Sequence, residues 1–477
     1  MTRWSWMGAV FATAVFIFIS MGYWHSQLIW DDPEIFGHVS QTDWRQLWVE
    51  PVTGGRLGKG YYRPLSMTIL KWCGGAYWAH VCSTVCHILS ALALAFLLNQ
   101  RAYVCVLIFL FHPLSNEILG WASALPDALA LSFGLWSAVA ATRQKWILTF
   151  VLVLLGGMSK ETAWVPLLAL LLSAPKDSGI KPGWLAFGAA FGAVFGMRIW
   201  SGVIGGWTIL TKFTLLPKAL AWAMSLLIWP WPLSVVREVH GVSLLSIVLG
   251  LTVLCVSVFS LRRESTRSGA LMILLSIGLA LPTTVDGGML GERYCYMATA
   301  GLALWVGTLA VQLKSQYRYG LGALICMFAL VFVSTHFQRS SDWRSDSVLF
   351  DAAAVAYPDS TYAQHFVGMV ALREGQLNKA SSAFKKALTS KHAHSNDRWL
   401  YMMSLVEAER YSEAIQFAET GEQKHLEAEF IAYWAKAYVQ IGQADSAQRL
   451  LQILCSSGVH CDGPDWVQEL YVTALKD

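Results

Sequence analysis

The chain has 477 residues, of which 55% are hydrophobic and 14% are charged, and its mean hydropathy is +0.46. Because soluble proteins carry roughly 25% charged residues, this composition excludes an ordinary soluble protein and predicts a polytopic membrane protein. The 23 tryptophans agree with that class, since indole rings gather at membrane interfaces. The formal net charge of +4 is dispersed, and no basic block indicates nucleic acid as a partner.

Apolar runs along residues 1–338 predict membrane-spanning helices, each of which needs about 20 apolar residues. We expect about eleven spans, near residues 6–24, 76–98, 102–111 with its continuation, 128–141, 146–158, 162–174, 184–200, 242–260, 270–284, 296–313 and 320–336. The stretch 214–235 is interrupted by WPWPLS and is interpreted as an interfacial or re-entrant pair. The first segment is alternatively a cleaved signal peptide, but no small-residue cleavage pattern follows it, which favours a retained span.

Basic residues indicate which face of the membrane each loop occupies. On one side lie Arg3, Arg101, Arg143, Lys145, Lys176, Lys181, Arg262, Arg263, Arg267, Lys314 and Arg318. The positive-inside rule makes that side cytoplasmic, together with the N-terminus. The loops 25–75, 112–127, 201–241 and 285–295 are then on the outer face, and so is the C-terminal region.

Residues 339–477 are more polar and predict a soluble helical domain with an internal repeat. Ala380, Ala414 and Ala447 recur at spacings of 34 and 33, and Gly375 and Gly442 each lie five residues before one of these alanines. Tetratricopeptide repeats have a period of 34, with small residues where the two helices of a unit touch. We therefore expect about three units, at 361–394, 395–428 and 428–460. The alternative is an ordinary helical bundle.

Two cysteines stand apart from the others in this polar region. Cys455 and Cys461 are joined by a short polar segment, CSSGVHC. They are candidates for a disulfide if the region lies in an oxidising compartment.

Polar residues gather in the predicted outer loops. The first loop carries WDDPEIF and then YYRPLS, the second carries HPLSNEILGWASALPD, and SKE and GERYCY follow. A face with both carboxylates and cations suits a substrate that bears phosphate. Arg63, Lys160 and Arg293 are candidate phosphate ligands, and a carboxylate such as Asp31 is a candidate base for an acceptor hydroxyl. For each of these residues the alternative is a solvated surface group.

Two histidines lie seven residues apart in one predicted span. His80 and His87 therefore share a face of that helix, which is expected to point into the bundle. Packing and hydrogen bonding are favoured over metal binding, because this spacing supplies too few ligands. We expect no required metal, although the outer carboxylates leave a divalent cation open.

The order of these motifs resembles the transmembrane and tetratricopeptide-repeat O-mannosyltransferase-like family, within the protein O-mannosyltransferases of the GT-C glycosyltransferase superfamily. The resemblance extends over essentially the whole chain and rests on the order WDDPEIF, YYRPLS, HVCSTVCH, HPLSNEILGWASALPD, SKE, LPKALAWAMSLLIWPWPLSV and GERYCYMATAG, followed by the repeats. It implies a helical membrane transferase of GT-C type that moves a sugar from a polyprenyl-phosphate carrier to an acceptor on the outer face.

The resemblance also implies roles for individual residues. Four acids are implied in catalysis: Asp31, Asp32, Glu117 and Asp127. Three cations are implied in binding the donor phosphate: Arg63, Lys160 and Arg293. A supporting set comprises Tyr62, His80, His87, His112, Glu161, Glu292 and Tyr294. The chain departs from the family pattern at Leu125, where many relatives have arginine, and at Ser83, where many have asparagine.

The acceptor and the compartment follow from the same reading. The repeats favour a protein or peptide acceptor with a Ser or Thr hydroxyl, and a lipid-linked or envelope glycan is the alternative. The short array and the absence of Asn-x-Ser/Thr sites favour a bacterial member in the inner membrane with a periplasmic repeat domain; a eukaryotic member would lie in the endoplasmic reticulum. A catalytically inactive scaffold and a transporter remain as further alternatives, the transporter last because the acids lie at segment ends.

Overall fold

The computed structural model describes residues 3–52, 61–98, 102–175, 179–202, 213–287, 291–390, 393–421 and 427–456. Helices and short connecting turns account for these residues, which confirms the predicted all-α class for the described part of the chain. The chain divides into two compact units, Met1–Leu349 and Phe350–Asp477. The sequence predicts the boundary between the two domains after residue 338.

The first unit contains sixteen of the described helices. They are α1 (Arg3–Trp24), α2 (Asp32–Gln41), α3 (Gln46–Val49), α4 (Pro64–Cys73), α5 (Ala76–Leu98), α6 (Ala102–Phe111), α7 (Asn116–Gly120), α8 (Leu125–Thr142), α9 (Trp146–Ser159), α10 (Val165–Ser173), α11 (Lys181–Trp200), α12 (Leu216–Ser225), α13 (Leu244–Ser260), α14 (Glu264–Gly287), α15 (Arg293–Gln312) and α16 (Ser315–Asp342). Single 3-10 turns at Pro113–Ser115, Ala122–Ala124 and Glu161–Trp164 connect several of them.

The apolar helices identify the chain as a membrane protein. In the described ranges, six helical stretches are long and apolar enough to cross a membrane: Ala76–Leu98, Ala122–Thr142, Lys181–Trp200, Glu264–Leu281, Arg293–Gln312 and Gly322–Asp342. Shorter apolar helices lie at Gly8–Trp24, Trp146–Ser159, Glu161–Ser173 and Leu244–Ser260. These helices expose large apolar residues such as Ile147 and Leu185, at 83% and 76%. Such surfaces are stable against lipid and unfavourable against water.

Small residues set how closely the helices of the first unit approach. A Cβ atom added to Gly250 of α13 would lie 1.6 Å from the carbonyl oxygen of Ala221 in α12. A Cβ atom on Gly301 of α15 would lie 2.9 Å from the backbone nitrogen of Ile273 in α14. Close backbone contact through glycine is the usual packing mode of membrane helices. It fixes the positions of the helix ends and of the polar residues at those ends.

The segment between α6 and α8 is buried although it carries polar residues. Trp343, the residue that follows α16, is fully buried and packs directly on Gly120, where an added Cβ would lie 2.3 Å from the indole Cγ. The hydroxyl of Tyr23 in α1 donates a short hydrogen bond to Asn116. The two ends of the first unit therefore hold this segment in a single conformation.

The second unit consists of antiparallel helix pairs. After α17 (Asp346–Ala356), which crosses the boundary, the described helices are α18 (Thr361–Arg373), α19 (Leu377–Ala387), α20 (Asp397–Glu407), α21 (Tyr411–Thr420), α22 (Ala428–Gln440) and α23 (Ala444–Ser456). The recurring alanines Ala380, Ala414 and Ala447 lie on the second helix of successive pairs, and each has 0% exposure. Each therefore occupies the same kind of buried position against its partner helix.

The turns within the three pairs share one backbone conformation. Gly375, Glu409 and Gly442 have φ values of +72°, +60° and +77°, and these positions are 34 and then 33 residues apart. The backbone N–H after each turn donates to a carbonyl five residues earlier, at 2.8 to 2.9 Å, from Gln376, Arg410 and Gln443. The three pairs are structural repeats, and the middle one carries glutamate where the others carry glycine.

The middle turn provides a test of this repeat. A left-handed conformation costs an L-residue about 1–2 kcal/mol, and glycine is free of that cost. We expect Glu409→Gly to stabilise α20 and α21 by about 0.5–1 kcal/mol, and therefore to slow their amide hydrogen exchange. The stabilisation is smaller than the cost of the left-handed conformation, because glycine also increases the conformational entropy of the unfolded chain.

Gly375→Ala, made at the matching turn, is expected to destabilise α18 and α19 by about 1–2 kcal/mol. Both effects are measured by hydrogen exchange with mass spectrometry on the full chain. Faster exchange in α20 and α21 of Glu409→Gly would contradict the shared turn.

Candidate active site

The two adjacent acids of the first loop have different surroundings. Asp32 begins α2 and has 0% exposure. Its carboxylate accepts hydrogen bonds from the backbone N–H of Ile29 at 3.1 Å, from the backbone N–H of Ser123 at 2.8 Å, and from the Ser123 hydroxyl. Asp32 thus ties the first outer loop to the 3-10 turn before α8. Burial raises its pKa to about 7, although the hydrogen bonds from Ser123 and Ile29 oppose that shift.

Asp31 is partly exposed and has fewer partners. Its carboxylate accepts a hydrogen bond from Trp121 Nε1 at 3.1 Å. Burial raises the pKa of Asp31 to about 6, and the positive charge of Arg293 opposes that rise. Asp31 is therefore ionised at neutral pH, is a stronger base than an ordinary aspartate, and remains accessible.

Trp121 connects Asp31 to a cation. Its indole ring stacks on Trp30 with a centroid separation of 5.2 Å and an interplanar angle of 22°. The guanidinium carbon of Arg293 lies 4.6 Å from the centroid of the same ring. A cation over an indole face is attracted by the negative charge of that face. The arrangement holds a positive charge near Asp31 without pairing the two directly.

Arg293 is held by a buried acid. Its Nη1 forms a short ion pair with Glu117, its backbone N–H donates to the same carboxylate at 2.9 Å, and its Nη2 donates to the Tyr294 hydroxyl at 3.1 Å. Glu117 has no exposed surface, and burial raises its pKa. The family resemblance predicts that Arg293 is a phosphate ligand and that Glu117 is a catalytic acid. In the structure the two residues neutralise each other.

Glu292 forms a second buried pair. Its carboxylate accepts hydrogen bonds from Arg237 at 3.0 Å and from the backbone N–H of Ser234 at 2.7 Å, and neither charged side chain is exposed. Arg237 was not among the sequence-predicted residues. The available signal was an arginine directly after the apolar run PLSVV, where a charge must find a partner.

Three further ion pairs bring α4, α8, α9 and α11 together. Lys160 contacts Asp127 at 2.6 Å, with 9% and 12% of the two side chains exposed. Glu161 contacts both Arg63 at 3.1 Å and Arg198 at 2.9 Å. Arg198 was also missed, although an arginine in the last turn of a predicted span is itself a signal of function.

These pairs belong to one cluster. Asp127 interacts electrostatically with both Arg63 and Arg293. Tyr61 interacts with both Arg63 and Asp31, and the Arg63 guanidinium lies 4.8 Å from the Tyr61 ring centroid. Segments that are widely separated in sequence therefore bring the predicted acids and cations to one place.

Two histidines and a tyrosine of the predicted set, His87, His112 and Tyr62, have hydrogen-bond partners inside the protein, whereas neither ring nitrogen of the buried His80 has one among the described residues. His87 lies 2.8 Å from the Tyr296 hydroxyl and 3.3 Å from the Leu110 carbonyl. His112 accepts from the Leu114 N–H and donates to the Leu227 carbonyl. His80 is buried beside the backbone of Leu119. Tyr62 donates to the Trp48 carbonyl at 2.6 Å. Each of these contacts joins one helix or loop to another.

A polar cavity of about 280 Å³ lies beside this cluster, between α2, α3 and α4. Arg63 lies in its wall and also contacts Glu161, so the cavity and the ion pairs adjoin. The other polar side chains in the wall are His38, Gln41, Thr42, Gln46 and Glu50.

Two predicted features lie at the limit of what is described. The disulfide candidate involves Cys461, which is outside the described residues, and the side chain of Cys455 is outside them as well. Over the described ranges, no group of three His, Cys, Asp or Glu side chains is arranged to hold a metal ion.

Comparisons with models of known protein families, with curated proteins and with solved structures give no match.

The Glu117–Arg293 pair makes a prediction for stability. Arg293→Ala leaves the Glu117 carboxylate buried without its charged partner, which destabilises proteins by about 3–5 kcal/mol. We expect a clear fall in the thermal unfolding temperature of the detergent-solubilised protein.

Arg262→Ala is the matched control, because Arg262 stacks on the exposed Phe259 and such surface changes stay within about 0.5 kcal/mol. An unfolding temperature of Arg293→Ala equal to that of this control would show that the pair is not structural.

Proposed function

We propose that the chain is a membrane glycosyltransferase of GT-C type that transfers a sugar from a polyprenyl-phosphate carrier to a protein Ser or Thr hydroxyl. The observation that carries this proposal is a partly exposed Asp31 of raised pKa within one cluster of arginines and lysine at the ends of apolar helices. A lipid-linked phosphate needs a charged site at the edge of an apolar body, and a hydroxyl acceptor needs a base.

Asp31 is the proposed general base. As its carboxylate takes the proton of the acceptor hydroxyl, the acceptor oxygen forms a bond to C1 of the sugar. The bond from C1 to the phosphate oxygen breaks, and its electron pair leaves with the carrier phosphate. Attack opposite to the leaving group gives inversion at C1. No metal or organic cofactor is needed for this balance, and the lipid-linked sugar is a substrate.

The remaining charged residues receive supporting roles in the proposal. Arg63 and Lys160 stabilise the negative charge that develops on the carrier phosphate. Glu117 and Asp127 position Arg293 and Lys160, which they already contact, instead of transferring protons. Asp32 holds the loop that presents Asp31.

The membrane topology and the repeats complete the proposal. We propose about eleven spans, a cytoplasmic N-terminus and an active site on the outer face, in a bacterial inner membrane or, for a eukaryotic member, in the endoplasmic reticulum. The second unit is proposed to be a tetratricopeptide-repeat array that binds the acceptor protein or peptide. The recurrence of its turns at 34 and 33 residues supports that class.

Two observations favour other candidates. The polar cavity beside Arg63 suits a hydroxyl-rich saccharide, which favours transfer to a lipid-linked or envelope glycan. The pairing of Arg63, Lys160 and Arg293 with internal carboxylates favours an inactive, membrane-anchored scaffold. Reconstitution with a panel of polyprenyl-phosphate sugars, followed by mass analysis of protein and glycan acceptors, separates the three.

Asp31→Asn tests the catalytic base in that assay. The amide cannot take the proton, so we expect transfer to fall by about 10²- to 10⁴-fold while the protein still inserts and folds.

The matched control is Asp43→Asn, an exposed acid in the same loop whose carboxylate accepts a local backbone hydrogen bond from Arg45. Full transfer by Asp31→Asn would remove Asp31 from the mechanism.

The pH dependence of transfer tests whether an ionised carboxylate acts as the base. A base works when ionised, so activity is expected above its pKa and to be lost as the pH falls through it. With Asp31 as base, kcat/KM measured between pH 5 and 8 should decline below about pH 6. A profile that stays flat over this range would exclude a carboxylate of raised pKa as the base.

A further inference from the structure

Two arginines from distant helices meet on one carboxylate. Arg63 immediately precedes α4 and Arg198 lies in the last turn of α11. Their Nη2 atoms reach different oxygens of Glu161, at 3.1 and 2.9 Å. The two guanidinium groups therefore converge on the position of a single anion.

The position of the Glu161 carboxylate is accessible to solvent, and the positive charges around it outnumber the negative ones. The side chains of Arg63, Arg198 and Glu161 are 20%, 21% and 42% exposed, so the carboxylate is the most accessible member. Lys160 is already paired with Asp127, which leaves two positive charges facing one negative charge. The Nε atoms of both arginines are buried and have no hydrogen-bond partner among the residues that the structure describes. Glu161 thus satisfies only part of the donors that surround it.

A purely structural role explains this arrangement poorly. Partly exposed ion pairs add little to stability, and buried guanidinium donors without partners oppose it. The carrier phosphate that leaves after transfer is a monoester with three free oxygens, one more than a carboxylate, and arginine binds a phosphate through two parallel hydrogen bonds. A phosphate at this position would therefore offer the two guanidinium groups one more acceptor than Glu161 does.

We propose that Arg63 and Arg198 form an anion clamp that holds Glu161 in the resting protein and the phosphate of the lipid carrier in the loaded protein. Glu161 acts as an internal competitor that the carrier displaces on binding and that occupies the position again once the carrier has left. This inference rests on the proposed function for the identity of the anion, and it adds Arg198 to the binding residues.

The test measures binding of undecaprenyl phosphate to the full chain in detergent by native mass spectrometry. Glu161→Gln removes the competing charge, and we expect about tenfold tighter binding. Arg198→Ala removes one arm of the clamp, and we expect about tenfold weaker binding, with partial recovery in Arg198→Lys.

Arg143→Ala is the matched control. Arg143 follows the C-terminal end of α8, whose N-terminal end carries Asp127, so it lies roughly 24 Å away along that helix. We expect its affinity to equal that of the unmodified protein. Thermal unfolding of each variant checks that the protein is folded.

Inorganic phosphate separates failure of the clamp from failure of the proposed function, with the rise in unfolding temperature as the readout. If undecaprenyl phosphate binds but Glu161→Gln and Arg198→Ala leave its affinity unchanged, the clamp is overturned and the function stands. In another outcome, undecaprenyl phosphate does not bind, but inorganic phosphate stabilises Glu161→Gln more than the unmodified protein and does not stabilise Arg198→Ala. The clamp then stands, and the proposed function is overturned. If neither anion binds, both are overturned.

Discussion

Charge pairing between helix ends is the constraint on which the first unit depends. A charged side chain beside apolar helices is costly unless it has a partner. The partners here come from distant segments: Glu117 with Arg293, Glu292 with Arg237, and Lys160 with Asp127. A glycine contact, that of Gly134 in α8 against the Ala163 backbone, brings the segments of the Lys160–Asp127 pair close together. Packing and pairing thus determine each other, and the polar cluster follows from both.

Within this set of neutralised charges, Asp31 differs from its neighbours. Trp121 lies between Asp31 and Arg293: its indole N–H donates to the Asp31 carboxylate, and its ring contacts the Arg293 guanidinium. Asp32, the next residue, is buried, and its carboxylate accepts three hydrogen bonds. The same dipeptide therefore supplies an accessible base and a structural anchor, which is how a reactive carboxylate can stay in place next to an apolar body.

The sequence predicted the parts of the fold that have a local signal. Apolar runs located the helices of the first unit, although six of the described stretches, against about eleven expected, have the length and composition of a span. The spacing of Ala380, Ala414 and Ala447 located buried positions of successive helix pairs. The predicted acids and cations do meet in one cluster. Their pairing was not predictable, because the partner of Glu292 or Glu161 is set by tertiary packing alone: Arg237 pairs with Glu292 although Glu238 is its neighbour in sequence.

The position of Trp121 has a consequence for spectroscopy. Its indole N–H donates to the carboxylate proposed to change protonation, and its ring lies under a guanidinium group. The electron density around that nitrogen therefore depends on the charge of Asp31. In a protein labelled with ¹⁵N-tryptophan, the indole resonance of Trp121 becomes an internal indicator of the ionisation of Asp31, readable in the absence of any substrate.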